Sequence, residues 1–205
     1  MPQVLKDEVR ARILEAALEV MAAHGFARAT MGAIAERAGV GTASLYRYYS
    51  GKEELLDAVV TPELAKRFES LLDRRVRALA RATLGAATAD DLGGDMLAFW
   101  IEHRLAVVVL LDRAAGTAYE AYGERFVERL TAHTLTEIRA AHPGARVGAS
   151  ARFVLTRIFE NTRRMLAAVL EHQSDPADLR EAIQAFWSYQ IAGLRGFSQW
   201  VGEQR

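Results

Sequence analysis

Between Thr30 and Tyr49 two short helical stretches are held apart by two glycines, and this segment constrains the chain more than any other. Thr30 is suited to cap a helix that runs to Ala38, because its hydroxyl can accept from an unpaired amide of the first turn. Gly39-Val40-Gly41 then reads as a turn, and a second short helix covers 42–49 before Ser50-Gly51 breaks it. Two helices crossing steeply over so tight a turn need a small residue where they approach, and Ala35 is one. Four residues later the turn needs a backbone free to adopt positive φ, which Gly39 allows. Ile34, Ala38, Val40, Leu45 and Tyr49 fall where a three-helix unit needs core. Each requirement is met in order, so the segment reads as a helix-turn-helix.

The rest of the chain reads as helix too. Ala, Leu, Glu and Arg dominate, no stretch sustains apolar/polar alternation of period two, and the expected class is all-α. A first helix is expected over 6–23, with Ile13, Ala16, Ala17, Val20 and Met21 on one face and Gly25 as its stop. Lys52-Glu53-Glu54 opens a helix after the break. Thr61 as N-cap with Pro62 at the first helical position restarts it, since proline tolerates that position and not the interior. A soft boundary lies at 84–94, and further helices are expected over 90–104, 105–115, 117–141, 148–172 and 176–201. The expected domains are 1–52, the helix-turn-helix unit, and 53–205, a helical bundle for effector binding and dimerisation.

Composition narrows the function classes. The chain has no cysteine, which removes disulfides, thiolate metal sites and cysteine nucleophiles and fits a reducing compartment. The N-terminus lacks the apolar stretch of a secretory signal, and the longest apolar run, 105–111, is too short to span a bilayer. A soluble, cytoplasmic protein with no membrane partner is expected. No G-x-S-x-G, H-E-x-x-H, phosphate loop or G-x-G-x-x-G occurs, and the five histidines show no metal-ligand spacing. Glu102-His103 and Asp112 could do acid/base chemistry, but nothing singles them out. The expectation is no enzyme: no catalytic residue, no metal and no cofactor. The net charge is zero, yet from His24 to Lys52 four basic residues face one acid, Glu36, for a local +3. A positive tip on a slightly negative body suits a protein that meets DNA at one end.

Ala16, Gly25-Phe26, Thr30, Ile34-Ala35, Ala38-Gly39-Val40, Leu45-Tyr46, Tyr48-Tyr49 and Lys52-Glu53-Glu54-Leu55 together resemble the N-terminal signature of the tetracycline-repressor (TetR) family. The resemblance implies a regulator that binds double-stranded DNA at a palindromic operator, most often as a repressor. The second short helix would lie in the major groove with its N-terminal residues at base edges. Thr42, Ala43 and Ser44 are its first exposed positions, and Arg47 and Tyr48 follow one turn later. Arg47 could read guanine bidentately or hold a phosphate. Thr30, Tyr46 and Lys52 match family positions that usually contact phosphate, while Tyr49 reads as core. Met31, Gly32 and Ala33 follow Thr30, where some members carry a long polar side chain, and Gly41 and Ala43 are also short. The reading surface is therefore sparse, with Lys6 and Arg10 of the N-terminal arm as possible helpers.

In the body, Ile183, Trp187, Gln190, Leu194, Phe197 and Val201 form a seam spaced 4, 3, 4, 3, 4, suited to near-parallel helix packing. Phe186 and Ile191 lie off it, and the preceding helix also carries two apolar rows, Leu155, Ile158, Met165 and Val169 against Phe159, Leu166 and Leu170. Helices buried on two sides have more than their own core to cover. The family resemblance implies a homodimer through the helices at about 148–172 and 176–201. It also implies a small-molecule effector, apolar or aromatic, for which Phe99, Trp100, His103, Tyr119, Tyr122 and Asn161 are the expected contacts, and whose binding would release the operator. The alternative expectation is a dimeric helical interaction protein with a degenerate DNA-binding domain.

Overall fold

The computed structural model describes residues 3–83 and 94–204, and among these every regular element is helical. The boundary expected at 84–94 and the helix start expected at residue 90 lie almost wholly outside the described residues. The order is α1 (Gln3–His24), α2 (Met31–Ala38), α3 (Thr42–Leu45), α4 (Lys52–Val59), α5 (Pro62–Thr83), α6 (Gly94–Val108) continuing into a π-helical turn (Val109–Arg113), α7 (Tyr122–Ala141), α8 (Ala149–His172) and α9 (Pro176–Gly202). One continuous apolar cluster runs from Ile13 on α1 to Leu194 on α9. A small satellite of Ile138, Ala151 and Val201 closes the far end of α7, α8 and α9.

The local signals act where they were expected. Gly25 ends α1 at φ 80°. Thr61 Oγ1 accepts from Leu64 N at 3.2 Å to start α5. A cap not read from the sequence starts α9: Asp175 accepts from Ala177 N at 2.7 Å and Asp178 N at 3.2 Å, with Pro176 in the first turn. The boundary expected near residue 104 is a distortion rather than a break. His103 departs from helical geometry (φ −121°, ψ 24°), yet the helix continues through the π turn. The reason is burial: Ala106 to Leu111 are all out of contact with solvent, so this stretch is enclosed on every side and gains from staying hydrogen-bonded internally.

The π turn is also the joint between the N-terminal helices and the body. Phe26 N donates to Arg113 O at 2.9 Å, and Arg113 Nε donates to Ala22 O at 3.0 Å. The same guanidinium pairs with Asp112 and, at 3.2 Å, with Glu171 on α8. Asp112 in turn takes Arg163 of α8 at 2.6 Å. α7 starts hard against this turn. At Gly123 a Cβ would overlap the Leu111 carbonyl oxygen and crowd the Arg163 guanidinium, so only glycine fits without a backbone shift. Gly123→Ala is expected to lose about 1–3 kcal/mol, the usual range for overpacking, in a urea melt. A variant as stable as the parent would mean α7 can slide.

The seam on α9 faces inward. Ile183, Gln190, Leu194 and Val201 are buried, and Trp187 and Phe197 pack beside them. On α8, Leu155, Phe159, Leu166 and Leu170 point the same way. A second set of positions is left facing outward. Phe153, Val154 and Met165 on α8 and Tyr189 and Trp200 on α9 are exposed, Tyr189 to 76%. On α9 the half-buried Phe186 and the exposed Tyr189, Gly193, Gly196 and Trp200 again step 3, 4, 3, 4, a second seam about 100° round the helix from the first.

Candidate nucleic-acid interface

The helix-turn-helix is assembled from backbone bonds that its own residues permit. Thr30 Oγ1 accepts from Ala33 N at 3.2 Å, capping α2. Gly39 sits at φ 65°, ψ 36°, and from there its N–H and that of Val40 close the end of α2 on Glu36 O and Ala35 O, at 3.1 and 3.0 Å. Gly41 then carries the chain into α3. Regular α3 is shorter than the stretch to Tyr49 that was expected. After Leu45 the bonds tighten to three-residue spacing, Arg47 N to Ser44 O at 3.1 Å and Tyr48 N to Leu45 O at 2.9 Å. Leu45 and Tyr49 are buried and anchor this turn to the core. Arg10 Nε donates to Tyr49 Oη at 3.0 Å, tying α1 to the same point.

That anchoring decides what faces out. Thr42, Ala43, Tyr46 and Arg47 are exposed, Ser44 and Tyr48 are half-buried, and Thr30 is exposed at the start of α2. Arg47 has no ion pair among the described residues; its Nη2 donates to Ser44 Oγ at 2.7 Å, which folds the guanidinium back along the exposed face of α3. The neighbouring basic residue Arg37 is engaged elsewhere, in a bidentate pair with Glu19 at 2.6 and 2.8 Å. At the far end, Ser50 N and Oγ both donate to Glu54, which holds that carboxyl below its ordinary pKa and fixes the entry into α4.

Lys52 is engaged within the chain. Its ammonium turns inward and donates to the carbonyls of Phe26, Ala27 and Ala29 at 2.9, 3.2 and 3.3 Å, with the Phe26 ring centre 4.5 Å away. An ammonium has three N–H groups, and all three are committed. Lys52 therefore clamps the loop between α1 and α2. Lys52→Ala is expected to cost about 1–3 kcal/mol in a urea melt, because three carbonyls lose a charged donor. An unchanged melt would remove the clamp.

The expected effector contacts divide. Phe99 and Tyr122 are buried and both stack on Phe68, at 5.8 and 6.2 Å between ring centres, and His103 tilts against Phe99 at 4.8 Å. Tyr119 and Tyr122 donate their hydroxyls to Val60 O and Ala65 O at 3.1 and 3.3 Å, across the junction of α4 and α5. Burial raises both phenols above their ordinary pKa, Tyr122 the more strongly. Trp100 is buried apart from these, stacked on Trp187 of α9 at 6.3 Å. Asn161 is exposed on the outward side of α8, so it does not join the others; the side of the helix it shares is the one that carries Val154, Ile158 and Met165. Beside Tyr122 a cleft of about 500 Å³ opens between α5 and α7, with Leu72 and Phe126 on its floor and Glu69, Arg125 and Arg129 at its rim. Nothing local in the sequence marked that cleft.

Residues 13–59 match the family model described as bacterial regulatory proteins, tetR family. The chain is 46% identical over 54 residues to the HTH-type transcriptional regulator SrpR of Pseudomonas putida, an overlap of 26% of this chain and 25% of that protein. It is 31% identical over 122 residues to an uncharacterized HTH-type transcriptional regulator of Mycobacterium tuberculosis, covering 58% of this chain and 64% of the relative. The chain thus spans between a quarter and just under two thirds of the length of these curated relatives. Among solved structures, a tetR-family transcriptional regulator from Streptomyces coelicolor aligns over 95% of this chain and 88% of its own, at 17% identity and a TM-score of 0.39. Across α1 to α4 the chain is thus similar to the tetR family of bacterial regulatory proteins.

Proposed function

We propose that the protein is a dimeric transcription regulator, a repressor that seats α3 in the major groove of a palindromic operator and leaves it when a small molecule binds the body. The observation that carries this is the division of α3: Leu45 and Tyr49 are locked into the core, while Thr42, Ala43, Ser44 and Arg47 are left along one outward edge. Thr42, Ala43 and Ser44 would meet base edges, and Arg47 and Tyr48 would follow one turn later. Thr30, at the start of α2, and Tyr46 would hold phosphates. Lys52 contributes by fixing the loop beneath them. The division at residue 52 is a division of labour, since α4 packs on α1 and shares its core.

The outward seam of α8 and α9 supports a homodimer. Val154 is 45% exposed and Met165 52% on one side of α8, and the exposed glycines Gly193 and Gly196 would let a second copy approach closely. Met165→Glu is expected to convert the dimer to a monomer with little change in far-ultraviolet circular dichroism, as read by light scattering. A variant that stays dimeric would move the interface elsewhere. The link from body to reading helix is the Arg113 joint, which holds Ala22 and Phe26 on one side and Glu171 on the other. A ligand that favours a different arrangement of the body would change the spacing of the two α3 helices through it.

The binding mode is tested by anisotropy titrations of the full chain on labelled duplex DNA at about 50–200 mM salt. Affinity should fall steeply across that range. Binding indifferent to salt, or none, would favour an interaction protein that has kept the fold without the function.

A further inference from the structure

Where α5, α6 and α9 meet, the interior holds hydrogen-bond donors with nothing to receive them. Arg75 is buried to 8% exposure, and its Nε and Nη1 have no hydrogen-bond partner among the described residues. Trp100 Nε1 and Gln190 Nε2, on residues 2% and 5% exposed, are in the same condition. Two of these side chains meet at one indole, and the third lies one turn along the same helix from it. The Arg75 guanidinium carbon lies 4.5 Å from the Trp187 ring centre, Trp100 stacks on the same ring at 6.3 Å, and Gln190 follows Trp187 by one turn on the buried seam of α9. Buried donors are paired as a rule, and a buried cation without a partner is the costlier exception. The unpaired atoms of these three side chains are donors and one is charged; the other unpaired atom, Asp73 Oδ1, is an acceptor and lies against Arg129. Burial lowers the Arg75 pKa to about 10, which leaves the guanidinium protonated at neutral pH.

The nearest acid along α5 does not answer them. Asp73 lies two residues from Arg75 and faces away, held by Arg129 of α7 at 2.7 Å. What the site lacks is a group with several lone pairs and a negative charge. A water molecule supplies the lone pairs without the charge. A carboxylate supplies both, with two oxygens spaced to match a guanidinium fork.

We propose that the body of this protein binds a small carboxylic acid with an apolar or aromatic remainder, its carboxylate on Arg75 and shared with Trp100 Nε1 and Gln190 Nε2, and its apolar part against Trp187. The inference rests on the reading of the body as the effector domain and gives that effector a chemical class. Of the six contacts expected from sequence, Trp100 belongs to this group, and Arg75 would add a charged anchor that the expected set of aromatic and polar side chains lacks.

Isothermal titration of the full chain with 1-naphthoate and octanoate, against 1-naphthamide and octanamide, tests it. At least one acid should bind saturably, about tenfold or more tighter than its amide, since the charge on the acid is what Arg75 selects. Arg75→Met, checked for fold by circular dichroism, should lose about tenfold or more of that affinity. Trp100→Phe keeps the ring and removes only one donor, so it should lose several-fold; it also serves as the readout should Arg75→Met fail to fold. Acid and amide binding equally, either folded variant binding as the parent does, or neither acid binding below about 1 mM would overturn the proposal. DNA selection on the same preparation separates the two readings. Enriched DNA with no acid bound removes the carboxylate site alone, and acid bound with no DNA enriched removes the regulator alone.

Discussion

Phe68→Ala is expected to remove about 3–5 kcal/mol of stability, the range for emptying a fully buried phenylalanine site. Phe68 has no solvent exposure and stands at the centre of an aromatic group, with Phe99, Tyr122 and Phe126 at 5.8, 6.2 and 6.2 Å between ring centres. These rings belong to α6 and α7, so one side chain on α5 joins three helices. The loss comprises the transfer of the ring out of the core, the cavity left behind, and three aromatic contacts worth about 0.5–1.5 kcal/mol each beyond their area. Surrounding rings are stiff and cannot collapse into the space as aliphatic chains can, which places the expected value toward the upper end. Against a total near 5–15 kcal/mol for a folded domain, the change is a large fraction and shows as a fall in the urea midpoint. A loss under about 1 kcal/mol would mean that the three helices are not held at this point.

Arg47→Ala is expected to be nearly silent in stability and severe in DNA binding. The side chain is exposed, and its hydrogen bond goes to Ser44, so removal should shift stability by no more than about 0.5 kcal/mol. On DNA each copy would lose a contact worth about 1–3 kcal/mol, and a dimer loses two, which amounts to about thirtyfold or more in affinity. The pattern of the loss separates the two roles left open for this residue. If Arg47 reads guanine, specificity relaxes at one position of each half-site. If it holds a phosphate, affinity falls for every sequence alike and the salt dependence becomes shallower by about one counterion per copy. Anisotropy titrations on a panel of single-base variants record both. Unchanged affinity would take Arg47 off the interface.

What could be read from sequence was what is decided within a few residues. Thr30 and Thr61 as caps, Gly25 and Gly39 as left-handed stops, and Pro62 at a helix start act through bonds to neighbours, so their types and spacing were enough. The length of α3 was not, because the tightening after Leu45 follows from anchoring Leu45 and Tyr49 in a core built by other helices. The continuity of α6 through His103 was hidden for the same reason: burial on all sides overrides a local weak point.

Long-range polar roles left no local trace. Lys52 reaches carbonyls 23 to 26 residues away, and Arg113 reaches one 91 residues away. Arg75 sits in a charged stretch of α5 that reads as a solvated face until α6 and α9 cover it. The basic tip is likewise smaller than its residues suggest, since Arg37 and Lys52 are occupied within the chain and Arg47 stands forward of them. Specific binding from so sparse a surface depends on two copies acting together.

Enrichment of random duplex DNA on the purified chain, with sequencing of what is retained, tests the central claim most directly. The account predicts a palindromic motif whose half-sites are centred about one or more helical turns of 10–10.5 base pairs apart, set by the separation of the two α3 helices. Retention of no motif by protein shown to be folded and dimeric, with the carboxylic acids absent, would contradict it.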